Sequence, residues 1–412
     1  MMKTLVRDCQ IVDVEAGRVM EDAWLAIDGA LIADFGYGMV KPPAADSFDQ
    51  VIDAGGGFLS PGLINLHVHI QRRHLHHKGQ GVFRQGAAAL ENSEDARRML
   101  FAMRNGWDEL LGGVTTIRDC CSKSRLNTMY RDAVKEGIII GPHVVSCGLG
   151  IASTGGHETH RYPGAVEVDG VDEVMKAVRT EIKHHADFIK FMGSGGLGGL
   201  PEHEHPYWVE LSYDELKAGV DEAHHRMKTC TIHAMGFEAV RIAVEAGIDG
   251  IEHGTNLNPE LVALMKERKV YYVPTMSGIA TVADREAESG SKDLAEFIRT
   301  LVVRPQFESV KLAHAQGLLI GAGTDTLGDL VTELEMFTSC GMSPAEALRT
   351  ATSNAARILK RQDSIGSIAR GKLADLILVD KNPLEAIDNL RHLRWVMKEG
   401  IKLTKENLAK ME

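Results

Sequence analysis

Residues 63–70 read LINLHVHI, directly after a Pro61-Gly62 turn. Polar residues fall at every second position from Asn65, which is the period of a β-strand. His67 and His69 therefore leave the same face, the geometry two nitrogens need to grip one ion. Further short β-rich runs follow: TTIRD (115–119), HVVSCG (143–148), FIKFMG (188–193), CTIHA (230–234), GIEHG (250–254), VYYVPT (270–275) and LIGAGTD (319–325). Between them, stretches such as YDELKAGVDEAHHRM and FEAVRIAVEAG repeat apolar residues at helical spacing. Eight strands joined by helical crossovers predict an α/β fold, a (β/α)8 TIM barrel, which typically needs ~250 residues.

The whole chain has 412 residues, long for one ordinary domain and suited to a barrel with a smaller companion. Both chain ends carry β patterns: TLVRDCQIVD, DAWLAIDGALIADFG and VIDAGGGFLSPG at the start, DLILVD (375–380) and LRWVMKEGIKL (393–403) at the finish. Edge strands do not stand alone. The two ends are therefore expected to join in a small, discontinuous β-sandwich domain, 1–62 plus 360–412, with the barrel spanning 63–359.

The sequence is 44% hydrophobic and 25% charged, enough apolar material for a large core, and carries a net charge of −11. An acidic chain with pI near 5.9 repels phosphate backbones, so nucleic acid is not an expected partner. The N-terminal MMKTLVRDCQIVDVEAG lacks the continuous apolar run of a signal peptide, and no stretch reaches transmembrane length. The six cysteines are scattered without a C-x-x-C pair, the pattern of reduced thiols in a cytoplasmic enzyme. A homo-oligomer is compatible with this reading.

Barrel enzymes act at the carboxyl ends of their strands. Read to its end, the first strand gives His67 and His69, the fourth Lys190, the fifth His233, the sixth His253 and the eighth Asp325. A single strand histidine is most often a satisfied core or surface residue. Five strand ends with these residue types together point to a metal cluster, since packing alone favours Val, Ile or Leu there. As a plain amine beside two cations, Lys190 would suffer desolvation and like-charge repulsion. Carboxylated by carbon dioxide, it becomes a carbamate that can bridge two ions. The plainer alternative is a lysine that snorkels outward to an acid such as Asp187.

Taken in order, SPGLINLHVH, FIKFMGSGG, TIHAMG, GIEHGT and AGTD resemble the amidohydrolase superfamily, over nearly the whole chain. The terminal GSIARGKLADLILVDKNPL is similar to that family's returning β-sandwich segment. The lysine of FIKFMGSGG and TGGH (154–157) resemble the branch with Xaa-Pro dipeptidases and relatives of imidazolonepropionase. The resemblance implies two divalent ions, Zn2+ first, although the donor set would also take Mn2+ or Co2+. It implies that His67, His69 and Asp325 hold one ion, that His233 and His253 hold the other, and that carboxylated Lys190 bridges them. A hydroxide shared by the ions is then the nucleophile. Asp325 accepts the water's proton and passes it to the leaving nitrogen, and His157 polarises the substrate carbonyl. A loop histidine capping backbone is the alternative for His157. Met235 departs from the dipeptidase-like branch, where a Tyr or His reaches the substrate, and so suggests a more apolar substrate.

The remaining histidines carry less. His74, His76 and His77 fall in a basic loop after the first strand, and His203 and His205 in the loop after the fourth; both loops could line the pocket. His184, His185, His224 and His225 read as solvated helix residues, and Cys120 and Cys121 as packing. The expected activity is hydrolysis of an amide bond in a small N-acyl amino acid or dipeptide. The alternatives are a cyclic-amide hydrolase or deaminase, a phenylurea- or carbamate-cleaving enzyme, or a non-catalytic barrel.

Overall fold

The computed structural model describes residues 2–72, 95–160, 163–197 and 204–403. His74, His76, His77 and His203 lie outside them. The chain divides into two compact units, one of Met1–Asn65, Gly106–Ile117 and Leu334–Glu412, the other of Leu66–Asn105 and Arg118–Glu333.

In the first unit, Lys3–Asp13 and Arg18–Asp28 form a long antiparallel hairpin, extended by Leu31–Gly36. Its other side receives Gln50–Asp53 and Phe58–Pro61 in parallel. The chain's far end then returns. Leu376–Val379 pairs antiparallel with Phe58–Pro61, bringing Leu378 opposite Leu59, and with Leu393–Lys398. One sheet of eight strands thus draws on both chain ends. The cause is apolar burial, since Val6, Ile11, Leu25, Ile27 and Leu59 share one core with Leu376, Leu378, Trp395 and Met397.

The second unit holds a six-stranded parallel sheet in the order Ala165–Val168, Gly150–Ser153, Ile189–Met192, Cys230–Ala234, Gly250–His253, Tyr271–Val273. A separate three-stranded sheet is ordered Leu63–Val68, Val114–Asp119, His143–Ser146. Seven of the eight expected barrel strands are strands among the described residues. The eighth, LIGAGTD, makes only one bridge, Tyr272 with Ile320. The sheets described form no closed barrel, but backbone bonds reach this segment from both sides. Tyr272 N–H donates to Leu319 O at 2.9 Å on one side, and Leu66 N–H to Ala322 O at 2.8 Å on the other. Gly323 permits this close approach, because a Cβ there would lie 2.7 Å from the Cβ of His67.

Helices cross between the strands where the apolar spacing predicts them, at Tyr213–His225 and Phe237–Ala246. The first opens on a capping box, with Ser212 and Glu215 each satisfying the other's backbone N–H. The second stops at Gly247, whose φ of 95° is cheap only for glycine. Two short strands, Gly150–Ser153 and Ala165–Val168, were not anticipated. No helix among the described residues is long and apolar enough to cross a membrane.

Candidate active site

Every residue of the candidate site belongs to the second unit, and the strand register places them. His233 pairs with Glu252, and Ala234 with His253, across parallel neighbours. His253 then takes a φ of 73° and Asp325 a φ of 51°, left-handed backbone that costs a side-chain-bearing residue about 1–3 kcal/mol. That departure ends the strict in-and-out alternation. Adjacent residues Glu252 and His253 consequently both reach His67, Glu252 through a hydrogen bond and His253 with ring centroids 4.9 Å apart.

The structure brings together the residues read from the strand ends. His67 Nε2 lies 3.6 Å and His69 Nε2 3.1 Å from Asp325 Oδ1. The rings of His233 and His253 lie 4.5 Å apart, centroid to centroid. Lys190 is buried, and its Nζ has no hydrogen-bond partner. Its charge acts on His67, His233 and His253 alike. The outward alternative for Lys190 does not hold, because Asp187 is engaged by Arg131 Nη1 at 2.9 Å and by the backbone N–H of Ser146.

The protonation pattern exposes lone pairs. Burial, then the Lys190 charge, push His67 down to about 4. Its single proton sits on Nδ1, donated to Glu252 Oε2 at 2.7 Å, which leaves Nε2 bare. His69 Nδ1 faces the carbonyl oxygen of Cys121 at 3.1 Å, an atom that can only accept. Its other nitrogen, Nε2, faces the Asp325 carboxylate. Burial holds His233 and His253 well below the usual histidine range, helped by His157 for the first and His67 for the second. Asp325 lies well below the usual carboxylate range, since burial is outweighed by His69, His67 and Arg72. The Lys190 amine is left buried with no hydrogen-bond partner beside imidazoles whose protonation burial disfavours, an unsatisfied arrangement. Divalent cations would resolve it, and the donor set fits them.

His157 stacks on His233 at 4.1 Å. Burial disfavours its charge, but Glu204, with Oε2 3.3 Å from Nδ1, and then Glu158 and Glu210 outweigh it and push the imidazole up to about 9. Its ring thus faces carboxylates rather than the backbone. Gly196 makes room for it, since a Cβ there would lie 2.2 Å from His157 Cε1. Met235 is buried in an apolar cluster with Leu197, Ile279, Val282 and Ile298. His205 lies among Tyr207, Trp208 and Phe297. His184 and His185 fall just past the end of the helix Val171–Lys183. Burial pushes the Cys120 thiol up to about 12, which suits packing.

Sequence reasoning missed the groups beneath and beside these. Glu252 accepts from His67, from Arg118 Nη2 at 2.5 Å and from Thr231 Oγ1 at 2.5 Å. Burial would raise its carboxyl, but Arg118 and His67 hold it well below the usual range. Arg72 pairs with Glu158 and lies 3.7 Å from Asp325 Oδ1. The available signal was two opposite charges, Arg118 and Glu252, inside strand patterns that otherwise bury apolar side chains.

Residues 58–401 match the amidohydrolase family. The chain belongs to that family. A crystal structure of a Xaa-Pro dipeptidase with methionine bound in its active site superposes with a TM-score of 0.86 at 29% identity, covering 97% of this chain and 99% of that one. Ochratoxinase of Aspergillus niger is 30% identical over 355 residues, 80% of this chain and 71% of that protein. Imidazolonepropionase of Thermoanaerobacter pseudethanolicus is 25% identical over 94% of this chain and 91% of that protein. The expected membership of the amidohydrolase superfamily, in the branch of Xaa-Pro dipeptidases and relatives of imidazolonepropionase, therefore holds. The chain is a hydrolase of this family, and its structural neighbours share the TIM-barrel architecture.

Proposed function

We propose that this amidohydrolase cleaves an amide C–N bond in a small N-acyl amino acid or dipeptide, in the manner of the Xaa-Pro dipeptidase it resembles over nearly its whole length. The observation that carries the reading is Lys190, buried and without a partner for Nζ among His67, His233 and His253. A stranded ammonium there is costly, whereas a carbamate formed with carbon dioxide has two oxygens to offer. On this reading His67, His69 and Asp325 would hold one divalent ion and His233 and His253 the other, with carboxylated Lys190 between them. Two bound ions, Zn2+ by preference, would supply Lewis-acid activation of water and of the scissile carbonyl.

The chain's own groups do the rest. Asp325, kept ionised by its neighbours, takes the proton of the attacking water and delivers it to the leaving nitrogen. His157, charged at neutral pH, donates a hydrogen bond to the carbonyl oxygen as negative charge builds there. Met235 and its apolar neighbours favour a hydrophobic side chain on the substrate. Glu252 and Arg118 orient His67 from behind. For the fold, we read 63–359 as a closed (β/α)8 barrel and 1–62 plus 360–412 as a β-sandwich. The backbone bonds flanking residues 319–325 and the sheet shared by both chain ends support that reading. The reduced-thiol pattern of the cysteines is the ground for a cytoplasmic location.

A cyclic-amide substrate is the second reading, favoured by the similarity to imidazolonepropionase. One experiment decides. Purified protein is screened against dipeptides, N-acyl amino acids and cyclic amides, with bound metal counted on the same sample. Release of free amino acid by protein holding two ions per chain supports the proposal. Ring opening with one ion supports the alternative, and full activity after exhaustive chelation sinks both.

A further inference from the structure

We propose that His224, Cys230 and Asp249 form a second, separate binding site for a zinc-like divalent ion, at the opposite end of the strands from the candidate active site. His224 lies near the end of the helix Tyr213–His225, Cys230 opens the strand Cys230–Ala234, and Asp249 precedes the strand Gly250–His253. The same two strands end in His233 and His253. His233 lies three positions along the strand from Cys230, so at ~3.3 Å per residue the two places are about 10 Å apart. Neither can borrow the other's ligands.

The three donor atoms converge on one point. His224 Nε2 is 2.9 Å from Asp249 Oδ2 and 3.7 Å from Cys230 Sγ, and Sγ is 3.5 Å from the same Oδ2. Bonds of ~2.0–2.3 Å to a tetrahedral ion put neighbouring ligand atoms roughly 3.3–3.7 Å apart. The observed triangle needs only a few tenths of an ångström of adjustment. A nucleophilic triad is a poorer account. It needs the histidine to face the cysteine with one nitrogen and the carboxylate with the other, whereas here both face Nε2.

The surroundings are those of an anchored but open site. The backbone N–H of Cys230 donates to Asp249 Oδ2 at 2.8 Å, which fixes the carboxylate. Cys230 is buried, while the His224 side chain is 40% exposed, so a fourth position faces solvent. One nitrogen, one sulfur and one oxygen suit Zn2+ or Co2+ and do not suit Mg2+ or Ca2+. Binding would release the Cys230 thiol proton to water, so affinity rises with pH.

The test uses the protein as purified, gel-filtered to remove loose metal and titrated with Co2+. One further equivalent is expected to raise a near-ultraviolet thiolate-to-cobalt charge-transfer band. His224→Ala, a change on the exposed rim of a helix end, should abolish that band and leave turnover unchanged. Cys230→Ser should abolish it as well. Absence of the band in the wild-type protein overturns the site. So does a band that persists in His224→Ala, since the thiolate would then be Cys120 or Cys121 beside the other centre.

Discussion

Glu252 Oε2 lies 2.7 Å from His67 Nδ1, and this one hydrogen bond fixes which nitrogen of His67 faces the candidate metal centre. The carboxylate is itself held by Arg118 and Thr231, and none of the four residues is exposed. Glu252→Gln keeps an oxygen for the imidazole but removes the negative charge that makes Nε2 a stronger ligand. Loss of such a partner typically weakens metal binding about 10–100-fold. Dialysis of wild type and variant against a graded series of chelator, followed by metal analysis, measures the difference. Equal retention in the two would show that the bond orients nothing that matters.

Lys190→Ala removes the buried amine and with it any carbamate. Metal content and turnover are expected to fall together. Added bicarbonate cannot restore either, having no amine to react with, but a short carboxylic acid such as formate or propionate can fill the space and recover part of both. A variant that keeps two ions and normal turnover rules out the bridging role.

The pH dependence of stability has a separate handle in Glu333. Its carboxylate accepts backbone N–H bonds from Met276 at 3.0 Å and Ser277 at 2.6 Å, and burial pushes it up to about 7 from an ordinary 4.5. Below about pH 4.5 the group is protonated in folded and unfolded chains alike. Between 4.5 and 7 only the unfolded chain ionises, so stability from this group is lost as pH rises through the folded value. At 1.36 kcal/mol per pKa unit the loss approaches about 3 kcal/mol above pH 7. Glu333→Gln abolishes the titration. Its melting temperature relative to wild type should therefore improve steadily from pH 4.5 to 7, and a pH-independent difference would contradict the shift.

What could be read in advance and what could not follows from the physics of strands. His67 and His69 were legible because a period of two puts i and i+2 on one face, and Lys190 because a charge inside FIKFMG fits no core. Glu252 was not, because the same alternation assigns it the face opposite His253. Only the left-handed φ of His253 brings both to His67, and a tertiary constraint of that kind leaves no mark on a five-residue motif. Glu204 is likewise invisible beforehand, since it meets His157 across 47 residues of chain. The strands Gly150–Ser153 and Ala165–Val168 are four residues each, too short for a period to declare itself. The expected eighth strand, LIGAGTD, forms only the single bridge of Tyr272 with Ile320. Its glycines allow close approach to His67 and, in the same stroke, deny it the side chains and ladder of a regular strand.

Asp325 is the residue at which metal binding and proton transfer can be told apart. Its Oδ1 sits 3.1 Å from His69 Nε2 and 3.6 Å from His67 Nε2, and Arg72 Nη1 approaches the same oxygen at 3.7 Å. Those neighbours keep it ionised, so it can accept a proton from water and still give it up. Asp325→Asn preserves shape and one oxygen donor while removing the basic site. General acid–base groups typically contribute ~10²–10⁴-fold, so kcat should fall by at least about a hundredfold. Metal should fall much less, because His67, His69, His233, His253 and Lys190 all remain. Turnover and metal content must therefore be measured on one preparation. If both ions stay and kcat drops less than about tenfold, the proton passes through another group. His157, which stacks on His233 at 4.1 Å, then becomes the next candidate.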